Sequence, residues 1–207
     1  MTVPVTVGVL DYGSGNLHSV CRALEAAGAT VLLSADPATL HRGAGLVLPG
    51  VGAFAACMAG LEAVGGGDLV RDWVGHDRPL LGICVGHQVL FDRGVEHGVE
   101  TPGLGLLPGT VDKLQAQRLP HMGWNQVNPP SGSVLFSGVA DQRFYFVHSY
   151  AAHACPDPHA ALTWTQHEGD RFISAIEAGP ISATQFHPEK SGPAGARLLA
   201  NWLGTLS

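Results

Sequence analysis

Apolar residues fall in short blocks over the first ninety positions, and the blocks alternate between two periods. Residues 5–10 (VTVGVL) make an apolar run that breaks at Asp11-Tyr12-Gly13, which predicts a strand ending in a turn. Leu17, Val20, Cys21 and Leu24 then recur at three- and four-residue steps, so a helix with one apolar face is expected, closed by Gly28 as its C-cap. Residues 30–33 (TVLL) and 46–48 (LVL) are too short for helices and read as buried strands. A second helical stretch is expected within 53–76, interrupted at Gly65-Gly66-Gly67. PLLGIC at 79–84 is a further apolar strand, and 85–93 is predicted as the helix after it.

Past that point the pattern changes. Between 105 and 186 the apolar runs are short and extended (GLLPGTV, WNQV, RFYFVHSY, ALTWT, FISAIEA, ISATQF), separated by turn residues with little helical periodicity. Some of these strands are expected to be antiparallel and packed at the sheet edge. Leu198, Leu199, Trp202 and Leu203 mark a closing helix. Alternating strands and helices followed by short strands predict an α/β fold, a mostly parallel open sheet flanked by helices with an added antiparallel strand region. No repeat and no linker divides the chain, so residues 1–207 are expected to form a single domain.

Composition narrows the classes. The chain is 45% hydrophobic and 14% charged, which excludes a disordered polyelectrolyte. Seventeen acidic against eleven basic side chains give a net charge of −6, with no basic run to follow a phosphate backbone, so no nucleic acid is expected as partner. The N-terminal residues lack a charged region followed by a long apolar one, and no apolar stretch approaches the ~18 residues of a membrane span. The four cysteines, at 21, 57, 84 and 155, have no CxxC spacing. Free thiols in a reducing cytoplasm, with no membrane association, are the expectation.

The candidate chemistry starts at Gly82-Ile83-Cys84-Val85-Gly86. Gly-x-nucleophile-x-Gly between a strand and a helix is the pattern of a nucleophile elbow, whose sharp turn leaves no room for side chains beside the nucleophile. It would lift Cys84 clear at the carboxyl edge of the sheet and set it near helix N–H groups that favour a thiolate. The competing reading is a buried small hydrophobe in a glycine turn. His87 is close to Cys84 in sequence, but neighbours at an elbow do not face each other, and a Cys84/His87 metal pair has no further ligands. A better base lies at Gln185-Phe186-His187-Pro188-Glu189, where ISATQF brings His187 to a strand end and Glu189 is placed to fold back on it. Alone, His-Pro-Glu reads as an ordinary strand-to-helix turn; beside the elbow it completes a Cys-His-Glu set. Acyl chemistry also needs oxyanion donors. Val85, after the nucleophile, offers one N–H, and the loop Pro49-Gly50-Val51-Gly52 offers another.

Three segments together, PGVGAF, GICVGHQ and QFHPEKS, resemble the triad-type (class I) glutamine amidotransferases. The resemblance implies that Cys84 forms a glutamyl thioester from L-glutamine, that His187 is base and then acid, and that Glu189 orients it. It also implies that Gln88 helps hold glutamine, with His148, Ser149 and Tyr150 as further substrate-side candidates. Adding DYGSGNLHSV, PHMGWNQV and FYFVHSYA, almost the whole chain is similar to the glutaminase-subunit family of imidazole glycerol phosphate synthase. That family works without cofactor or metal. It docks on a (β/α)8-barrel cyclase as a heterodimer and passes ammonia to it, for imidazole glycerol phosphate and AICAR in histidine biosynthesis. Met122, Trp124, Asn125, Tyr145 and Lys190 are the docking-face candidates the resemblance points to; Trp and Met on a loop suit a hot-spot patch. The plain alternative is that Met122 and Trp124 are core residues of a β segment.

The chain departs from the family at the elbow, which more often carries leucine and methionine where Val85 and His87 stand here. The first change is conservative; the second sets an imidazole beside the active site. His148, His153, His159 and His167 crowd into twenty residues, but their spacing fits no tetrahedral metal site. Cys21 reads as core. Three rival readings remain at this stage: the glutaminase of anthranilate or aminodeoxychorismate synthase, a stand-alone γ-glutamyl peptidase, and a non-catalytic regulatory module.

Overall fold

The computed structural model describes residues 4–206. Along the chain run β1 (Thr6–Leu10), α1 (Leu17–Ala26), β2 (Thr30–Ser34), α2 (Pro37–Leu40), β3 (Gly45–Gly50), α3 (Phe54–Ala63), α4 (Gly66–Gly75), β4 (Leu80–Cys84) and α5 (Val85–Gln88). Then come β5 (Phe91–Glu96), β6 (Val99–Pro102), β7 (Leu107–Lys113), β8 (His121–Gln126), β9 (Arg143–His148) and β10 (Tyr150–Ala152). β11 (Ala161–His167), β12 (Asp170–Ala178), β13 (Ile181–Thr184) and α6 (Gly192–Leu203) complete it.

The main sheet has seven strands in the order β11-β12-β13-β4-β3-β1-β2. The five strands from β13 to β2 pair in parallel, while β12 and β11 are antiparallel additions at one edge. The apolar blocks of β3 and β4 are buried at every position, which is why they read as runs rather than alternations: parallel strands are covered on both faces. α1 packs against α6, and α3 against α4. Each fully buried leucine of this core is worth about 2–5 kcal/mol against truncation to alanine.

One expectation needs correction. The stretch 85–93 is not one helix: α5 stops at Gln88 and the chain turns into β5, which joins β6, β7 and β10 in a separate four-stranded sheet. Among the extended segments, β11 and β12 are the antiparallel edge strands expected, while β8 and β9 stand apart as a two-stranded ribbon. Gly28 closes α1 as expected: at φ +103° just past Ala27 it donates its N–H to the Glu25 carbonyl at 3.0 Å, and the Ala29 N–H reaches the Leu24 carbonyl at 3.0 Å. The helical stretch of 53–76 does divide at its glycines, with Gly65 in the left-handed conformation before α4. No helix among the described residues is long and apolar enough to cross a membrane.

Candidate active site

Three neighbouring strands end at one place. In the parallel register Gly50 of β3 lies beside Cys84 of β4, and Ile83 of β4 lies beside Thr184 of β13. The carboxyl ends of β3, β4 and β13 thus bring the PGVG loop, the cysteine and the His-Pro-Glu turn to one crevice, where open α/β sheets bind ligands.

Cys84 is the last residue of β4, with φ 56° and ψ −111°, a conformation a side-chain-bearing residue holds only under constraint. The constraint is the close approach of strand and helix. A Cβ on Gly86 would sit 1.8 Å from the Leu48 carbonyl oxygen, and one on Gly82 would sit 2.9 Å from the Gly86 carbonyl oxygen. Both glycines of the elbow are required sterically, as its pattern predicts. Val85 opens α5, so its N–H has no acceptor inside the helix.

His187 lies three residues beyond β13, its backbone N–H donated to the Tyr145 carbonyl at 2.9 Å. Ser191 fixes the same turn, its hydroxyl donating to the His187 carbonyl at 2.6 Å and accepting the Tyr145 N–H at 3.0 Å. His187 Nδ1 meets Glu189 Oε1 at 2.7 Å, and both side chains are almost wholly buried. With Nδ1 donating to the carboxylate, Nε2 is the nitrogen left for Cys84, which lines the same cavity. Burial pulls the His187 imidazole down, but the hydrogen bonds and negative charges of Cys84 and Glu189 together outweigh it and raise it to about 9.

His87 is the contrast. It is fully buried, stands edge-on to Phe91 with ring centroids 5.4 Å apart, and among the described residues has no hydrogen-bond partner on either ring nitrogen. Burial lowers it to about 3, so it is neutral and no base for Cys84.

A cavity of about 390 Å³ gathers Cys84, Val85, Gln88 and His187 with Val51, Gly52, His148, Ser149, Tyr150 and Lys190. Asn16, Glu96 and Val147 also line it and were not anticipated. Asn16 follows β1, the next strand along; Glu96 ends β5, a strand that starts inside the helix expected over 85–93. A larger cavity of about 470 Å³ lies between α3, α4 and β6 and holds no cysteine or histidine.

The PGVG loop departs from the simplest expectation. Gly50 is packed so tightly that a Cβ would come within 2.6 Å of the Gly86 nitrogen, and Gly52 has φ +87°. Val51, however, donates its N–H to the Ser14 hydroxyl at 3.2 Å, while its carbonyl accepts from that hydroxyl at 3.0 Å and from the Cys57 thiol at 3.4 Å. Its N–H is therefore occupied within the chain. Cys57, which carried no signal in the sequence, is part of this latch.

Of the docking candidates, Met122 (61% exposed) and Trp124 (47% exposed) stand out of β8, which excludes the core reading for them. Tyr145 faces Trp124 across the ladder with ring centroids 6.1 Å apart, and Lys190 is exposed. Asn125 is half-buried and turns inward, its amide nitrogen donating to the Gln166 carbonyl at 3.0 Å and to His121 at 3.1 Å. His148 likewise has both ring nitrogens engaged, by the Tyr150 carbonyl and by His121. His153 bridges Asp112 and Asp170, and His167 stacks on His121. No group of three or more metal-ligating side chains is assembled among the described residues. All four cysteines are free and buried, Cys21 on the inner face of α1.

Comparison with known proteins bears on the family and the fold. Residues 8–205 match the family model for glutamine amidotransferase class-I. The chain is 58% identical over 207 residues to the imidazole glycerol phosphate synthase subunit HisH of Cutibacterium acnes, covering all of both chains. It is 60% identical over 208 residues to the protein of that name from Nocardia farcinica, covering 97% of this chain and 98% of that one. Among solved structures, a glutamine amidotransferase superposes with TM-score 0.75 at 20% identity, over 96% of this chain and 98% of the other. PurLQS from Thermotoga maritima superposes with TM-score 0.73 at 17% identity, over 99% and 100%. At such identities these two speak for the fold alone.

Proposed function

The chain belongs to the class-I glutamine amidotransferases, and from that premise we propose that it is the glutaminase subunit of imidazole glycerol phosphate synthase. It hydrolyses L-glutamine to glutamate and ammonia for histidine biosynthesis. Residues 1–207 act as one amidotransferase domain, in a heterodimer with a (β/α)8-barrel cyclase that uses the ammonia. The observation that carries the reading is Cys84 at positive φ on the elbow, with His187 in the same cavity and Glu189 2.7 Å from its Nδ1.

The chemistry follows from the placement of these groups. The Cys84 thiolate attacks the carboxamide carbon, and the carbonyl π pair moves onto oxygen to give a tetrahedral intermediate. The Val85 N–H stabilises that oxyanion, with a second donor from the 50–52 loop. His187, as imidazolium, protonates the leaving nitrogen; the C–N bond breaks, ammonia departs, and a glutamyl thioester remains on Cys84. Neutral His187 then takes a proton from water as it attacks the thioester, and C–S cleavage returns thiolate and glutamate. Glu189 holds the ring in one tautomer and favours its cationic form throughout. Gln88, Ser149 and Tyr150 grip the substrate in the cavity wall, and neither metal nor organic cofactor takes part.

Met122, Trp124 and Tyr145 form the aromatic centre of the docking face, with Lys190 beside it and Asn125 buttressing β8 from within. Because Ser14 occupies the Val51 N–H, the free chain lacks a donor that the oxyanion needs, so its turnover is low until the docked, ligand-bound cyclase releases the loop. Glutamine turnover measured with and without the cyclase and its nucleotide ligand tests this: a large rise is expected, and equal rates would sink the coupling.

A further inference from the structure

Behind the catalytic cavity runs a hydrogen-bonded chain that the hydrolysis itself does not use. Asn125 Nδ2 lies 3.1 Å from His121 Nε2, His121 Nδ1 lies 3.2 Å from His148 Nε2, and His148 Nδ1 lies 3.0 Å from the Tyr150 carbonyl oxygen. A carbonyl oxygen only accepts, so His148 carries its proton on Nδ1 and accepts at Nε2. His121 must then donate from Nδ1 and accept the Asn125 N–H at Nε2. The chain has one direction, and it stands while both rings are neutral. Burial, and after it the neighbouring histidines, hold His121 down to about 4 and His148 to about 3.

The far end fixes a substrate-side group. The Tyr150 carbonyl accepts a second hydrogen bond, from Gln88 Nε2 at 2.8 Å, and the other N–H of that amide goes to Gln185 Oε1 at 3.0 Å. Turning the Gln88 amide end for end would forfeit two buried hydrogen bonds, about 1 kcal/mol each before the desolvation of orphaned groups is counted. Its Oε1 is thereby kept as an acceptor in the cavity wall. Gln185 Nε2 continues to within 3.9 Å of Cys84 Sγ.

The two ends belong to elements with different tasks. His121 and Asn125 are on β8, the strand that carries exposed Met122 and Trp124; Gln88 and Tyr150 line the cavity with Cys84. His121 and His148 are direct partners in the β8–β9 ladder, and rings pack around them, with Phe146 4.8 Å from His121 and Phe172 4.9 Å from His148. We propose that His121 and His148 are positioning residues for glutamine, a one-way pair of neutral imidazoles that ties the placement of β8 to the orientation of the Gln88 amide. The proposal rests on the glutaminase reading and adds a route from the docking strand to the substrate.

The test compares glutamine hydrolysis by the wild-type complex with that of His121→Phe and His121→Asn, alongside urea unfolding of each chain. Phenylalanine keeps the ring packing and offers no N–H; asparagine restores a donor near the Nδ1 position. His121→Phe is expected to raise KM for glutamine about tenfold with kcat changed less than about threefold, the scale of one lost hydrogen bond. His121→Asn is expected to recover most of that loss. A folded His121→Phe with wild-type KM overturns the proposal, and so does a His121→Asn that recovers none of it, since packing alone then accounts for the effect. If the phenylalanine variant fails to fold, ¹⁵N spectra of the wild-type histidines decide. Neutral Nδ1–H rings at 121 and 148 at pH 7 support the chain; an Nε2–H tautomer or a charged ring at either overturns it. A wild-type complex that hydrolyses no glutamine overturns the glutaminase reading, and the proposal with it.

Discussion

Two histidines stand next to Cys84, one in sequence and one in space, and they hold opposite charge states. His87 is three residues along and His187 about a hundred, and both are buried. Burial alone takes His87 to about 3. The same force acts on His187, yet a carboxylate at 2.7 Å and the cysteine on its other side reverse the sign and bring it to about 9. What makes a base here is the partner on its far nitrogen, not its distance along the chain.

The comparison breaks most plainly at the imidazoles themselves. In the cyclase-bound complex, His187→Gln is expected to lower kcat/KM for glutamine by on the order of 10³-fold, because it removes both the acid and the base. His87→Met is expected to stay within about threefold of wild type. A reversed ranking in steady-state kinetics would mean that sequence proximity had been the better guide.

Next in size is the loss of the orienting carboxylate. Glu189→Gln is expected to cost on the order of 10²-fold in kcat/KM, the lower end of what positioned proton transfer contributes, because the imidazole stays and loses only its orienting partner. The pH profile sharpens this. Protonation of the leaving nitrogen needs imidazolium, so kcat/KM falls as pH rises through about 9 in the wild type. In Glu189→Gln the alkaline limb moves to lower pH; an unmoved limb would show that Glu189 does not set the charge of His187.

Stability should separate the same residues with opposite signs. His87 and His148 have folded-state values near 3 against an ordinary 6.5, so below pH 6.5 the unfolded chain binds protons the folded chain refuses. Their contribution is present above 6.5 and lost as pH falls toward 3, at up to about 1.4 kcal/mol per pH unit for each. His187 runs the other way: its contribution is full below 6.5 and lost as pH climbs through about 9. Urea unfolding between pH 4 and 7 checks the first sign. The smallest effect is at neutral pH, where His87→Met, by removing two unpartnered buried nitrogens, is expected to stabilise the chain by about 1 kcal/mol and to flatten its acid sensitivity.

What was legible in the sequence follows the same division between local and distant partners. β1, β3 and β4 were readable because strands buried on both faces make uninterrupted apolar runs. The elbow was readable because its glycines answer a steric demand a few residues away. The stretch 85–93 failed because Val85 and Val89 stand at helical spacing and the short apolar run Val89-Leu90-Phe91 that leads into β5 fits either period. α2 was passed over, although Asp36 as N-cap and Pro37 at the first position are its signals. The bonds of Ser14 to Val51 and Cys57 and the inward turn of Asn125 join groups some forty residues apart, which no periodicity records. The His187–Glu189 pair was legible only beside the elbow, since alone it reads as an ordinary turn; the parallel register of β4 and β13 is what brings the two together.

The central claim is covalent: of four buried thiols, Cys84 alone carries the glutamyl group. Acid-quenching the complex during glutamine turnover and mapping the adduct by peptide mass tests it directly. The account predicts a glutamyl thioester on the Cys84 peptide, absent in Cys84→Ser, with Cys21, Cys57 and Cys155 unmodified. Turnover with no adduct at Cys84, or with the adduct on another cysteine, would contradict it.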